Sequence, residues 1–164
     1  MRITSETYIN DLQFQKFMPK FQEVDPNKLI DKVAEELKKN SVIKAPEWAL
    51  FAKTGANAAR PPSNPEWWYA RTAALLRKIA VRGPVGTEKL RTIYGSRKRR
   101  GHQPAEFRKT GGSAIRKALQ QLQTAGFVKY KDKGIKKGRI VTPQGLSFLD
   151  RVAKTCKHDK QKEE

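Results

Sequence analysis

Apolar residues recur at every third or fourth position in several stretches of the chain, which is the pattern of amphipathic helices. The first clear stretch is 26–40, where Asp25 is placed to cap a helix and Pro26 lies in its first turn. Its apolar stripe is Leu29, Val33 and Leu37. The same spacing predicts helices over 66–81, 88–93 and 113–125, a last one after Thr142, and a short one near 8–18.

The helix predicted over 66–81 carries the bulkiest apolar side chains. Trp67 and Trp68 are interpreted as core anchors and not as base-stacking platforms, because they open an amphipathic helix. Ser63 and Glu66 have the spacing of a capping box at its start. One face of this helix, at helical periodicity, consists of Trp68, Thr72, Leu75, Leu76 and Ile79.

The connector over 41–65 is predicted to be irregular. Its last part, NAARPPSNP, has prolines that exclude a regular helix or a paired strand. Upstream of these prolines, Trp48, Leu50 and Phe51 predict a small apolar cluster.

Alternation of apolar and polar residues predicts one β-hairpin near the end of the chain. The run FVKYK at 127–131 predicts a strand, and RIV at 139–141 predicts its partner across a basic, glycine-containing turn. Before it, Gly126 suits the left-handed position that ends the helix over 113–125, with Phe127 packing back on Leu122.

Residues 94–112, YGSRKRRGHQPAEFRKTGG, contain six Lys or Arg and one acid, Glu106. Glycines lie at both ends and Pro104 inside, and no helix or strand period is visible, so an irregular cationic loop is predicted. Its basic side chains repel one another and bury nothing. Such a segment needs an anion, and a phosphate backbone is the expected one.

Charge supports the same interpretation. The net charge is +19, and residues 1–60, with 10 Lys/Arg and 8 Asp/Glu, contribute only +2 of it. Residues 61–164 therefore carry +17. Solubility alone requires far less charge, so nucleic-acid binding is the favoured class. No apolar run approaches the roughly 20 residues of a membrane span, and an intracellular, soluble protein is expected.

No combination of residues predicts catalysis or a cofactor. His102 and His158 are far apart in sequence, the single cysteine is Cys156, and no nucleophile, base and orienting group stand together. Asp150 is expected to pair with a nearby basic side chain. We therefore expect no enzymatic activity, no metal site and no small-molecule substrate.

The order of elements predicts a mainly α protein with a winged helix-turn-helix core over about 66–153 and an additional N-terminal helix. The helix over 113–125 would occupy the recognition position, and the hairpin would be the wing. About 19 residues separate the two central helices, where a DNA-binding motif has a turn of three or four. This spacing favours folded RNA, which is recognised by shape. The alternative is a winged-helix DNA-binding transcription regulator.

Several motifs are similar to those of one ribosomal protein family. They are PEW at 46–48, WWYAR at 67–71, YGSRKRRGHQP at 94–104, GGSAIRKALQQL at 111–122, GRIVTPQG at 138–145 and LDRVA at 149–153. In this order and spacing the chain resembles the small-subunit ribosomal protein designated S-nineteen of the eukaryotic type, found in archaea and eukaryotes. Ser96 departs from the second glycine usual in that family.

The resemblance implies a structural, non-enzymatic constituent of the small ribosomal subunit. It would bind ribosomal RNA in the subunit head beside other head proteins and support subunit assembly and maturation. The location would be the cytoplasmic ribosome, with nucleolar assembly if the cell is eukaryotic. Residues 26–154 would form the single ribosomal-protein domain, 1–25 an N-terminal extension, and 155–164 a charged, frayed tail.

The resemblance and the charge pattern together give a set of expected RNA-binding residues. The family motifs carry over to Arg71, Arg77, Arg97, Arg116 and Lys117. The density of positive charge adds Lys78, Arg82, Lys98, Arg99, Arg100, His102, Arg108, Lys109, Lys136 and Lys137.

Overall fold

The computed structural model describes residues 20–132, 134 and 136–163, with side chains up to residue 157. This part of the chain is mainly α, as predicted, with five helices and two antiparallel hairpins. In chain order the elements are α1 (Pro26–Lys38), α2 (Trp67–Arg82), α3 (Thr87–Ile93), β1 (Ser96–Arg100), β2 (Gln103–Arg108), α4 (Gly112–Thr124), β3 (Val128–Lys131), β4 (Gly138–Val141) and α5 (Pro143–Glu163). The helix predicted near 8–18 lies outside the described residues.

Helix α1 forms as its sequence predicts. The Asp25 carboxylate accepts hydrogen bonds from the backbone N–H groups of Asn27 and Lys28, at 2.8 and 3.2 Å. These bonds satisfy donors that have no partner inside the helix. The predicted stripe is buried and packs against α2 and α5.

Helix α2 is the centre of the hydrophobic core. Trp68 is fully buried, lies edge-on to Trp67 at 5.6 Å between ring centroids, and donates its indole N–H to Gln121 of α4 at 3.0 Å. Trp67 is also buried and donates to the Ala49 carbonyl at 3.0 Å. Both tryptophans are therefore core anchors, as predicted.

The predicted capping box at the start of α2 is wrong. No side chain caps this helix, and the Asn64 side chain accepts the backbone N–H of Glu66 instead. The Glu66 carboxylate forms an ion pair with Lys38 at the end of α1. Glu66 is thus engaged in joining two helices and does not reach back to the chain before α2.

The prediction of an irregular loop over 94–112 is also wrong, because most of this segment is a β-hairpin. Strands β1 and β2 pair in antiparallel register, with Ser96 opposite Arg108 and Arg100 opposite Gln103. Gly101 has a φ of 68° in the two-residue turn, a conformation that glycine adopts without steric cost. The register shifts between Lys98 and Arg100, opposite the part of β2 that contains Pro104.

The second hairpin and the end of α4 match the prediction. Gly126 has a φ of 78°, its N–H donates to the Gln123 carbonyl, and the N–H of Phe127 donates to that of Leu122. This pair of bonds is the Schellman motif. Strands β3 and β4 then pair as a hairpin, and Val85 forms an isolated bridge with Arg139 at its edge.

Helix α5 is longer than expected. It stays helical to Glu163, where a frayed tail was expected after residue 154. Cys156 is buried, and Lys157 forms an ion pair with Glu23, so the packed face continues into the tail. Asp150 accepts the backbone N–H of Phe21 at 3.1 Å, which corrects the expectation of a basic partner.

The apolar cluster predicted in the connector does not form as such. Leu50 is 66% exposed and Phe51 is 85% exposed, whereas Trp48 packs edge-on against Trp68 at 5.6 Å. A short 3-10 turn, Glu47–Leu50, directs Ala49 inward and leaves Leu50 outward. Among the described residues, no helix is long and apolar enough to cross a membrane.

Candidate nucleic-acid interface

The cationic hairpin, residues 96–108, presents most of its basic side chains to solvent. Nine of its eleven strand residues are exposed, and only Lys98 and Glu106 are partly covered. The hairpin therefore stands out from the helical body. It brings together six of the residues predicted to bind RNA, with Lys109 directly after it: Arg97, Lys98, Arg99, Arg100, His102 and Arg108.

One face of the cationic hairpin contains its only acid. Glu106 lies opposite Lys98 in the ladder. Its carboxylate forms ion pairs with Arg100 Nη1 at 2.9 Å and with Arg108 Nη2 at 3.1 Å. We call this the acid-paired face, because part of its positive charge is compensated within the protein.

The other face is here called the open face, and it consists of Arg97, Arg99 and Phe107. Arg97 lies directly opposite Phe107 in the ladder. Arg99 lies two residues further along β1, at the register shift, and is assigned to the same face from the alternation of side chains along a strand. Within the part of the chain that the structure describes, neither arginine forms an ion pair with an acid. The sequence pattern did not lead us to Phe107. Its position among basic residues, outside any apolar stripe, is what could have marked it as a surface residue.

The base of the cationic hairpin is attached to the body through four residues, here called the base clamp: Thr54, Asn57, Arg91 and Thr110. Thr110 is 3% exposed, and its hydroxyl donates to the Thr54 carbonyl at 2.6 Å. Arg91 Nε donates to the Thr110 carbonyl at 3.1 Å, and the Asn57 amide bonds the Ser96 hydroxyl. These contacts fix the direction in which the hairpin leaves the body.

An ion-pair network supports the base clamp. The Glu88 carboxylate lies 2.7 Å from Arg91 and 3.3 Å from Lys109. The hydrogen bonds from Arg91 and Lys109 lower the pKa of Glu88 below its ordinary value of 4.5. Lys109, predicted to bind RNA, thus also joins the end of the hairpin to α3.

Arg71 and Arg77 lie on α2 near Tyr94, the residue that ends α3, and both are partly covered. The Arg71 guanidinium lies 4.5 Å from the centroid of the Tyr94 ring. Burial lowers the pKa of Arg71, and burial raises the pKa of Tyr94 against the opposing effect of Arg71 and Arg77. Arg77 Nε is buried and has no hydrogen-bond partner among the described residues.

The remaining predicted residues lie outside the hairpin. Arg116 and Lys117 are exposed on α4, while Lys78 is half-buried and Arg82 exposed near the end of α2. Lys136 and Lys137 are exposed in the turn between β3 and β4, where Lys137 lies 3.6 Å from Asp132. The structure thus divides the predicted set into one dense group on the cationic hairpin and smaller groups on three other elements.

The described residues contain no group of three His, Cys, Asp or Glu placed to hold a metal ion. Their dominant chemical feature is the cationic hairpin. Fold and site together define a basic, mainly helical protein with a protruding cationic hairpin, a combination suited to binding a polyanion.

Comparison with known proteins identifies the family. The family model described as "Ribosomal protein S19e" matches residues 20–159. The chain therefore belongs to the ribosomal protein S19e family. Its role is that of a structural ribosomal component, and it is not an enzyme.

Three relatives illustrate the similarity. The chain is 49% identical to "Small ribosomal subunit protein eS19" of Aeropyrum pernix, over 80% of this chain and 86% of that protein. It is 42% identical to "Small ribosomal subunit protein eS19G" of Ascaris suum, over 80% and 88% respectively. It is also 42% identical to the eS19 protein of Haloarcula marismortui, over 83% and 90%.

Proposed function

We propose that this protein is a constituent of the small ribosomal subunit that binds ribosomal RNA in the subunit head and supports subunit assembly and maturation. The observation that carries the proposal is the cationic hairpin, where exposed arginines outnumber a single acid on an element that is fixed to the body at its base. Uncompensated charge of this kind is stabilised by phosphate groups.

We also propose that α2, α3, α4 and the β3–β4 hairpin form a winged-helix-like core. Helices α3 and α4 pack together, and the bridge between Val85 and Arg139 places a short extended segment beside β4, as in a three-stranded wing. The cationic hairpin is inserted between α3 and α4, where a helix-turn-helix has a tight turn. In this proposal the densest charge would directly precede α4, the helix in the recognition position, along the chain.

The proposed contacts fall into groups with different roles. The cationic hairpin and Lys109 would neutralise phosphates of one RNA junction, and Arg116 and Lys117 on α4 would contact an adjacent strand. Lys78, Arg82, Lys136 and Lys137 would form the periphery. Arg71 and Arg77, which are partly covered, would position the hairpin from beneath and reach RNA at its edge.

The cellular context is part of the proposal. Residues 26–154 would act as one ribosomal-protein domain in contact with small-subunit RNA and neighbouring head proteins. The location would be the cytoplasmic ribosome, with assembly in the nucleolus if the cell is eukaryotic. The names of the relatives, which are small ribosomal subunit proteins, support this context.

Salt-dependent binding to a fragment of small-subunit ribosomal RNA tests the proposal. Six cations contributed by the hairpin region predict a slope of about −4 to −5 for log K against log salt concentration. Replacing Arg97, Arg99 and Arg100 by Glu should abolish tight binding. The matched control reverses the charge of three exposed lysines elsewhere, Lys20, Lys28 and Lys154, and should retain most of the affinity.

Two results would contradict the proposed function. The first is a salt slope near zero for the wild-type protein. The second is a preference for a short duplex DNA sequence over structured RNA, which would support a transcription regulator instead. Incorporation of the triple variant into small subunits at the wild-type level would contradict the assembly role.

A further inference from the structure

The open face of the cationic hairpin contains an aromatic ring that the helical core does not use. Phe107 is 53% exposed on a strand, QPAEFR, of which no residue is buried. Covering the exposed part of this ring with a ligand would remove apolar surface from water, which is favourable. Its neighbours are cationic, with Arg97 directly opposite in the ladder.

The ring of Phe107 is held in a defined position. A Cβ atom added at Gly95 would lie 2.7 Å from Phe107 Cζ, so the absence of a side chain at Gly95 leaves the space that the ring occupies. Gly95 directly precedes β1, and alternation places positions 95, 97 and 99 on the same side. The ring therefore lies against the backbone at Gly95, at the base of the hairpin.

The surroundings of Phe107 match the chemistry of an unstacked nucleotide. A base has a flat π-face that stacks on an aromatic side chain, and the phosphates on either side of it are bound by arginines. Arg97 and Arg99 lie on the same face as the ring and are not paired with an acid among the described residues. On the acid-paired face, by contrast, Glu106 already occupies two of the arginines.

We propose that Phe107 stacks on an unpaired base of the bound RNA, while Arg97 and Arg99 hold the phosphates beside that base. This inference rests on the proposed RNA-binding function and specifies its ligand as an RNA with an extruded or single-stranded nucleotide. The open face is then the RNA side of the hairpin, and the acid-paired face is the supporting side.

The test compares two RNA probes of equal length, a duplex with one bulged adenosine and the same duplex fully paired. For Phe107→Leu we expect affinity for the bulged duplex to fall about ten-fold, in the range for loss of one base stack, and affinity for the paired duplex to stay unchanged. The slope of log K against log salt should not change, because no phosphate contact is lost. Phe107→Tyr, which keeps an aromatic ring, should bind like the wild type.

Two matched variants separate stacking from charge and from general exposure. Arg97→Gln should weaken binding to both probes and reduce the magnitude of the salt slope by roughly 0.7–0.9. Phe51→Leu replaces another exposed phenylalanine, on the connector, and should leave both affinities unchanged. Replacing the bulged adenosine by 2-aminopurine gives a spectroscopic signal, which should differ between saturating wild type and saturating Phe107→Leu.

The outcomes distinguish this inference from the proposed function. Equal affinities of wild type and Phe107→Leu for the bulged probe would overturn the stacking role and leave RNA binding intact. Failure of all variants and wild type to bind RNA would instead overturn the proposed function. If hydrogen exchange shows that Phe107→Leu no longer forms the hairpin, Phe107→Tyr and Phe107→His test the stacking role instead, because both keep a flat ring. Weak binding of the bulged probe by both variants would overturn stacking.

Discussion

The guanidinium of Arg71 lies over the ring of Tyr94, 4.5 Å from its centroid. This contact joins α2 to the residue that lies two positions before the cationic hairpin. Tyr94 caps α3, and β1 starts two residues later. A cation stacked on an aromatic ring in a partly desolvated site is more stabilising than at an exposed site. The contact therefore connects the stability of the core with the position of the hairpin.

Replacing Arg71 by Ala should lower the free energy of unfolding by about 1–2 kcal/mol, because the cation–π contact and the packing of the side-chain stem are both lost. Urea denaturation at neutral pH measures the effect. Arg82→Ala, an exposed arginine of the same helix, is the control and should change the stability by less than about 0.5 kcal/mol. Equal effects of the two substitutions would show that the ring contact contributes nothing.

Thr110→Val should loosen the cationic hairpin. The substitution removes the hydroxyl that donates to the Thr54 carbonyl at 2.6 Å and leaves a partly buried acceptor without this partner. Because the Thr54 carbonyl keeps its hydrogen bond from the Gly111 N–H at 3.0 Å, we expect a loss of about 0.5–1.5 kcal/mol. Hydrogen exchange at the amides of β1 and β2 should become faster. Thr124→Val, which removes an exposed hydroxyl bonded within α4, is the matched control and should leave hairpin exchange unchanged.

Glu88 should make the base of the hairpin sensitive to acid. Its pKa is lower in the folded protein than its ordinary value of 4.5, because Arg91 and Lys109 donate to the carboxylate. The contribution of Glu88 to stability is therefore present above pH 4.5 and is lost as the pH falls through the folded-state pKa. Wild type and Glu88→Gln should differ in urea midpoint at pH 6, and the difference should shrink progressively as the pH falls below 4.5. A difference that stays constant as the pH is lowered would contradict the prediction.

Trp68→Ala should be among the most destabilising single substitutions in the described core. The side chain is fully buried and its indole N–H is bonded to Gln121 at 3.0 Å, so both a cavity and an unpaired amide oxygen result. The expected loss is about 3–5 kcal/mol by urea denaturation. Trp48→Ala, which removes a neighbouring but 38% exposed indole, should cost less than half as much.

The elements that could be predicted from sequence are those fixed by local patterns. Asp25 caps α1 because its carboxylate accepts hydrogen bonds from the free backbone N–H groups two and three residues later. Gly126 ends α4 because a left-handed residue is required there, and Trp68 is buried because its helical stripe is apolar. In each case the interaction lies within a few residues of the signal.

The cationic hairpin could not be predicted in this way. Its strand residues are almost all polar or charged, so the alternation that marks a half-buried strand is absent, and Gly101 and Pro104 resemble loop residues. The stabilising contacts come from far away, since Thr54 bonds Thr110 across 56 positions. Charge density predicted a candidate set of RNA-binding residues, but the division of the hairpin into an open and an acid-paired face depends on the register of β1 and β2.

The bond between the Phe21 amide and Asp150 has a consequence for how the protein is made. It spans 129 positions, and Phe21 is completely buried, so the innermost layer stays incomplete until the ribosome has translated the last helix. At bacterial to eukaryotic translation speeds this takes roughly 6–26 s after Phe21 is added. Throughout that interval the part of the α1 surface that later packs against α5 stays uncovered on the nascent polypeptide, and the arginine-rich hairpin is synthesised before that last helix.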